Sequence, residues 1–201
     1  MPRDYDLNVT PPHQQRLPQH EMDDDAIRAF LARAHVGYVA TRWETQPFLN
    51  MTMFWYDAER HAIVFHSNVT GRVRANAERF AEVCFATNEH GRLLPSNVAL
   101  EVSIQHQGVV VFGKVRLLED PDEKRRALYG MLGKYFPHMQ PGREYRPITD
   151  AELKRTSVYA IQIESWSGKR NWPEQADQSD EWPPLAEELL RVTGDGDKVI
   201  G

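Results

Sequence analysis

Three strand-like runs follow one another between Val36 and His66 on very little connecting sequence. They are VGYVATRW (36–43), FLNMTMFWY (48–56) and HAIVFH (61–66), with Asp57 to Arg60 turning the second into the third. Parallel neighbours need a crossover of about a dozen residues or more, so strands this closely spaced pair antiparallel. Helix and strand do not alternate along the rest of the chain, which argues against a parallel α/β sheet. VCFAT (83–87), a loop GRLLPSN, a long β-rich run 100–118 bent near Gly108 and Gly113, and SVYAIQIES (157–165) supply the remaining strands. The expected fold is α+β, mainly antiparallel β: a six-stranded β-barrel, closed or nearly so, with a few peripheral helices.

The helices carry their own punctuation. Asp23, Asp24 and Asp25 cap a short amphipathic helix built on Ile27, Phe30, Leu31 and Ala34. A second helix spans 71–79 between strands. Asp120 as N-cap, Pro121 at the first helical position and Glu123 completing a capping box open a third, with Leu128, Met131, Leu132 and Tyr135 as its apolar face and Pro137 as its stop. Thr149 and Glu152 form a capping box for a fourth. The expected organisation is an extended, proline-bearing arm (1–22), one domain (23–172), and an acidic tail (173–201) whose short helix near 185–191 packs on the barrel or on a partner.

Composition narrows the function. A net charge of -5 gives no electrostatic reason to expect nucleic acid or an anionic membrane surface. No run approaches the ~18 apolar residues of a membrane span. The N-terminal stretch has no apolar h-region, and the single cysteine, Cys84, suits a reducing compartment; the expectation is a cytoplasmic protein. Eight scattered histidines show no HxH or HExxH spacing, so no metal site is expected. Cys84 among apolar strand neighbours reads as packed core, and His106 in a β-rich run as structural.

Three stretches remain as candidates. IVFHSNVTGRVRAN (63–76) is a strand running into a helix. Ala62, Val64 and His66 share one face of that strand; Ile63, Phe65 and Ser67 share the other. Thr70 is positioned to cap the helix, and helix N-termini attract anions. Ser67, Asn68, Arg72 and Arg74 therefore read as a phosphate turn, or equally as an ordinary solvated helix face. WSGKRNW (166–172), leaving the last strand, offers Trp166 and Trp172 to a flat ring and Lys169 to an anion, or simply packs a sheet end. Asn50, Met51 and Thr52 lie in what reads as a central strand, where asparagine is disfavoured unless a ligand or a backbone group occupies it.

In combination these residues resemble the FMN-binding split-barrel superfamily of pyridoxamine 5'-phosphate oxidase-like proteins, and within it the Nim-type 5-nitroimidazole-resistance proteins. The matching pieces are GYVAT, VFHSNVTGRVRAN, LLPSN followed by LEVSIQ, VVVFGKVRLLEDPDEKRRAL, RTSVYAIQIESWSGKRNW and EWPPL, from about Val36 to Leu185. The resemblance implies a homodimer with two flavin sites at the subunit interface. His66, Ser67, Gly71 and Arg72 would hold the FMN phosphate, and Asn50, Met51 and Thr52 would lie along the ring, with Trp166 and Lys169 matching the post-strand WSGK. Val73 stands where the family often has a lysine, with Arg74 one place further along. The arginine-rich substrate motif of a true pyridoxamine-phosphate oxidase is missing near the C-terminus. The implied activity is flavin-dependent reduction of small electrophilic aromatics, 5-nitroimidazoles to amines among them, with His66 catalytic. The alternatives are an FMN carrier or sensor without a dedicated substrate, a small keto acid held on His66, or deazaflavin or haem in place of FMN.

Overall fold

The computed structural model describes residues 6–191. Its strands are β1 (Glu21–Met22), β2 (Val36–Trp43), β3 (Gln46–Met53), β4 (Trp55–Asp57), β5 (Ala62–Asn68), β6 (Glu82–Leu94), β7 (Ser103–Leu118) and β8 (Thr156–Asn171). Its helices are α1 (Asp24–Arg33), α2 (Arg72–Arg79), α3 (Pro121–Tyr135), α4 (Asp150–Arg155) and α5 (Glu187–Arg191). All pairing between these strands is antiparallel, in the order β3-β2-β6-β7-β8-β5-β4, with β1 added to β8.

The expected six-stranded barrel, closed or nearly so, is corrected to an eight-stranded sheet whose hydrogen-bonded ladder does not close. Its two ends, β3 and β4, are one continuous piece of chain broken at Phe54. The break explains one of the two extra strands, β1 being the other: the run read as 48–56 serves β2 with its first part and β5 with its last. The polar backbone of Phe54, a fully buried residue, is tied down from outside the sheet. Its N–H donates to the Tyr135 hydroxyl at 2.8 Å, and that hydroxyl lies 2.9 Å from the Phe54 carbonyl and 2.6 Å from that of His35. Buried backbone groups need such partners, and Tyr135 of α3 supplies them where the ladder stops.

The curved sheet encloses the main core. Phe54 meets Phe85 edge-on at 4.7 Å between centroids, and Phe65 stacks on Tyr159 at 4.6 Å. Full burial of each such ring stabilises the fold by roughly 1.5–3 kcal/mol. A second, smaller core lies on the outer face of the sheet. There Ala62, Val64, Val158 and Ala160 pack under Ala127 and Met131 of α3. Three of the four expected caps hold: Asp23 accepts from the Ala26 N–H, Asp120 from those of Asp122 and Glu123, and Thr149 with Glu152 forms the capping box, while the Glu123 carboxylate turns to Arg116 instead of closing a second box.

Several boundaries differ from expectation. β6 continues to Leu94, through residues read as loop, by pairing across His106 and Ile104. β8 does not end at Ser165 but runs to Asn171, because β7 is long enough to pair with all of it. The arm is stitched to the sheet at its end: Glu21 and Met22 pair with Lys169 and Gly168, and Met22 is buried. Residues 1–5 and 192–201 lie outside the described residues. The tail is pinned to the loop after β6, where the Asn97 side chain exchanges hydrogen bonds with the backbone of Ser179 at 2.9 Å each way. Cys84 is half-buried rather than core. No helix among the described residues is long and apolar enough to cross a membrane.

Candidate functional site

β5 carries the central residues of the site, and its alternation holds as expected. Ile63 and Phe65 enter the main core, while Ala62 and Val64 enter the outer one. His66 continues the outer face and opens into a cavity of about 450 Å³ between β5, α3 and the segment leading to α4. The walls are apolar: Met53, Met131, Leu132, Phe136 and Ile148 among them. Polar groups reach it only at a few points, namely Tyr135, Tyr145, Arg146, Glu152 and Thr156 beside His66. Such a ratio of apolar wall to placed polar groups is typical of a small-molecule site.

The imidazole is exposed at the cavity surface and makes no hydrogen bond among the described residues. Surrounding protein still displaces enough water to lower its pKa below the ordinary histidine value, and no neighbouring charge opposes the shift. His66 is therefore neutral at neutral pH, with one nitrogen lone pair and one N–H to offer. The other charged groups at the rim are already paired. Arg146 donates to Glu152 at 2.7 Å; this bond, with those from Thr149, holds the Glu152 carboxyl at about 2.

Ser67 faces the opposite way, its Oγ 2.8 Å from the Tyr159 hydroxyl. Thr70 does not cap α2. The N-cap is Gly71, at φ 131 and without a side-chain cap bond, and the Thr70 N–H and hydroxyl both bond the Asn68 side chain. The first-turn N–H groups of α2 consequently have no side-chain oxygen among the described residues, as an anion site would require. Arg72 is exposed there, with its guanidinium 5.2 Å from the Trp43 ring centroid. Arg74 does not join it. Two residues on, it points to another side of the helix, with Nε 2.5 Å from Glu78 and a terminal nitrogen donating to Ser157 at 3.1 Å.

Asn50, Met51 and Thr52 lie on an edge strand, not a central one, because β3 pairs only with β2. Asn50 and Thr52 donate to the neighbouring carbonyls of Met51 and Met53 at 3.0 and 2.9 Å. The strand displays apolar side chains: Leu49 is 64%, Met51 66% and Met53 43% exposed. Met53 also lines the His66 cavity, so the exposed strand and the cavity adjoin.

The WSGKRNW residues are not brought to His66 within one chain. His66 sits opposite Val158 on β8, and Trp166 lies eight residues further along the same strand, roughly 26 Å at strand rise. Trp166 instead donates to Asp24 at 2.8 Å and takes Arg28 against its ring. Lys169 pairs across from Gly108 and Glu21, and Trp172 packs over Gly91. Met53, Tyr135, Tyr145 and Arg146 are the site residues that sequence patterns did not single out for binding. Tyr135 was legible only as a helix-face residue, and Tyr145 and Arg146 sit in a connection with no periodic signal.

Comparison with known proteins agrees with this fold. The family model described as pyridoxamine 5'-phosphate oxidase matches residues 23–170. Among solved structures, the flavocytochrome Anf3 from Azotobacter vinelandii superposes with a TM-score of 0.74 at 20% identity, over 84% of this chain and 77% of that one. The FAD and heme binding protein from Mycobacterium smegmatis gives 0.66 at 21% identity, over 86% and 78%. A candidate 5-nitroimidazole antibiotic resistance protein from Bacteroides thetaiotaomicron gives 0.62 at 21% identity, over 74% and 85%. At these identities the likeness is one of fold. No curated protein matches the chain.

Proposed function

Because the chain belongs to the pyridoxamine 5'-phosphate oxidase family, we propose that it is a homodimeric, cytoplasmic, flavin-dependent reductase of small, flat electrophilic aromatics, 5-nitroimidazoles among them. The observation that carries this reading is that Met53 of the exposed strand and His66 of β5 face one apolar cavity of about 450 Å³. A flat ring fits such a space, and β3 offers an uncovered apolar surface beside it for the cofactor. FMN supplies the reducing equivalents when bound; the chain's own groups bind, orient and exclude water. Gly71 and Arg72 at the open N-terminus of α2 would hold its phosphate, and Asn50, Met51 and Thr52 would flank its ring. Trp166, Lys169 and Trp172 would reach the same site only from the partner subunit. His66, neutral and unpaired, donates its N–H to the substrate's developing oxyanion and relays a proton from solvent at the cavity mouth.

The same unpaired, neutral imidazole also favours a second reading, in which His66 ligates the iron of a haem. The Azotobacter and Mycobacterium structures above are described as a flavocytochrome and as a FAD and heme binding protein. The visible spectrum of the purified chain separates the two, since flavin and haem absorb differently. A flavin spectrum, with nitroimidazole-dependent oxidation of NADH or NADPH, supports the reductase. A haem spectrum lost in His66→Ala supports the second reading. A colourless protein that takes up neither cofactor overturns both.

A further inference from the structure

Four elements converge on a polar recess of about 390 Å³ that the proposed chemistry does not use. Arg74 comes from α2, Lys124 from α3, Lys154 from α4 and Ser157 from β8; Glu78 and Glu119 are the carboxylates that face them. The cations are held in place by more than chance exposure. Arg74 is anchored at both ends of its guanidinium, by Glu78 and by the hydroxyl of Ser157, a side chain only 2% exposed. Lys124 donates to the Leu153 carbonyl at the end of α4. Burial lowers the Lys124 pKa, and the charge of Arg74 lowers it further against the pull of Glu119. Lys154 is exposed and forms no ion pair among the described residues.

Packing thus brings three cations to one recess, where the charge of Arg74 disfavours that of Lys124 and the two carboxylates Glu78 and Glu119 leave one positive charge in excess. A bound anion relieves that repulsion. The combination of a fixed guanidinium fork, two ammonium groups and a buried hydroxyl matches the tetrahedral oxygens of a phosphate better than a single carboxylate. We infer that this recess is a binding site for a compact phosphate group, carried by free phosphate or by a phosphate monoester. The site is separate from the His66 cavity but touches it, since Thr156 lines both. It is separate also from the α2 N-terminus, where Arg72 turns toward Trp43.

Calorimetric titration of the purified full chain with inorganic phosphate, and in parallel with phenyl phosphate, tests the assignment. Saturable binding is expected, weakened about tenfold or more by Lys154→Ala. Arg79→Ala removes an equal charge from the same helix outside the recess and is expected to change nothing. Lys154 is exposed, so its variant folds even if Arg74→Ala does not. Equal affinity for the two probes supports free phosphate as the natural source; tighter phenyl phosphate supports a monoester whose body uses the adjoining apolar surface. No saturable binding, or binding untouched by Lys154→Ala, overturns the site. Displacement of phosphate by FMN overturns its separateness and identifies the recess as the cofactor's own anchor. The flavin content of the same sample, read from its spectrum, reports on the reductase reading independently.

Discussion

His66 and Ser67 are consecutive residues of β5 that serve opposite sides of the sheet: the imidazole opens into the α3 cavity, and the hydroxyl bonds Tyr159 at 2.8 Å on the inner side. Strand alternation forces this division. A turn that reads in the sequence as one phosphate site therefore splits into a ligand-facing histidine, a structural serine, and two arginines aimed at different neighbours.

The first prediction follows from the histidine. Its folded pKa lies below the unfolded value of about 6.5, so within that window the unfolded chain binds more protons. Stability should rise with pH across the window and level off above about pH 6.5. His66→Gln should remove that part of the acid limb and leave neutral stability alone. His61 is also depressed, so the readout is the difference between wild-type and variant urea midpoints. Because His66 is exposed, the difference should be small. Parallel curves down to about pH 5 would show that the imidazole titrates normally.

Most strands, the helices and the caps at Asp23, Asp120 and Thr149 were legible because they depend on local periodicity and capping chemistry. Asp120, Thr149 and Glu152 act as their spacing required. The faces of β5 were legible for the same reason. What sequence could not show was which strand ends the sheet. Asn50 looked central because its neighbours are apolar, yet those apolar side chains are exposed on an edge. Nor could it show that Tyr135, one apolar position on a helix, would tie the break at Phe54. Both depend on contacts between residues far apart in the chain.

Lys134 gives a second pH signature, of opposite placement. Burial drops its pKa to about 8, and its ammonium sits 3.5 Å from the Phe54 ring centroid and 3.1 Å from the Leu31 carbonyl. The ring attraction favours the charged form and works against the burial. Unfolded lysine titrates near about 10.4, and stability should therefore rise between about pH 8 and 10 as the folded lysine loses its proton first. Lys134→Met should flatten that rise, by on the order of 1 kcal/mol after allowing for solvent screening. Denaturant titrations at the two ends of the window measure it, and an unchanged slope in the variant refutes it.

Gly113 marks the register shift between β7 and β8. A Cβ there would lie 2.0 Å from the Gln162 carbonyl oxygen and 3.3 Å from Ile161. The first obstacle is backbone of the paired strand and cannot swing aside. Gly113→Ala should destabilise the fold by about 1–3 kcal/mol, the usual range for overpacking. The denaturation midpoint should fall with its slope unchanged. A variant as stable as wild type would mean that the two strands separate locally at little cost.

The last prediction concerns the exposed edge. An uncovered strand that displays Leu49, Met51 and Met53 is a liability for a lone chain, and Asn50 and Thr52 satisfy only part of its backbone. A second copy that covers β3 would bury these side chains and could bring Trp166, Lys169 and Trp172 to the strand beside which the cofactor is proposed to lie. Met51→Lys places a charge on that surface without touching the core, since Met51 is 66% exposed. The variant should keep wild-type thermal stability of the individual chain, sediment as a monomer, and lose bound flavin together with the dimer. A wild-type chain that is monomeric at micromolar concentration, or a Met51→Lys dimer with full flavin content, would place the subunit contact and the cofactor elsewhere on the molecule.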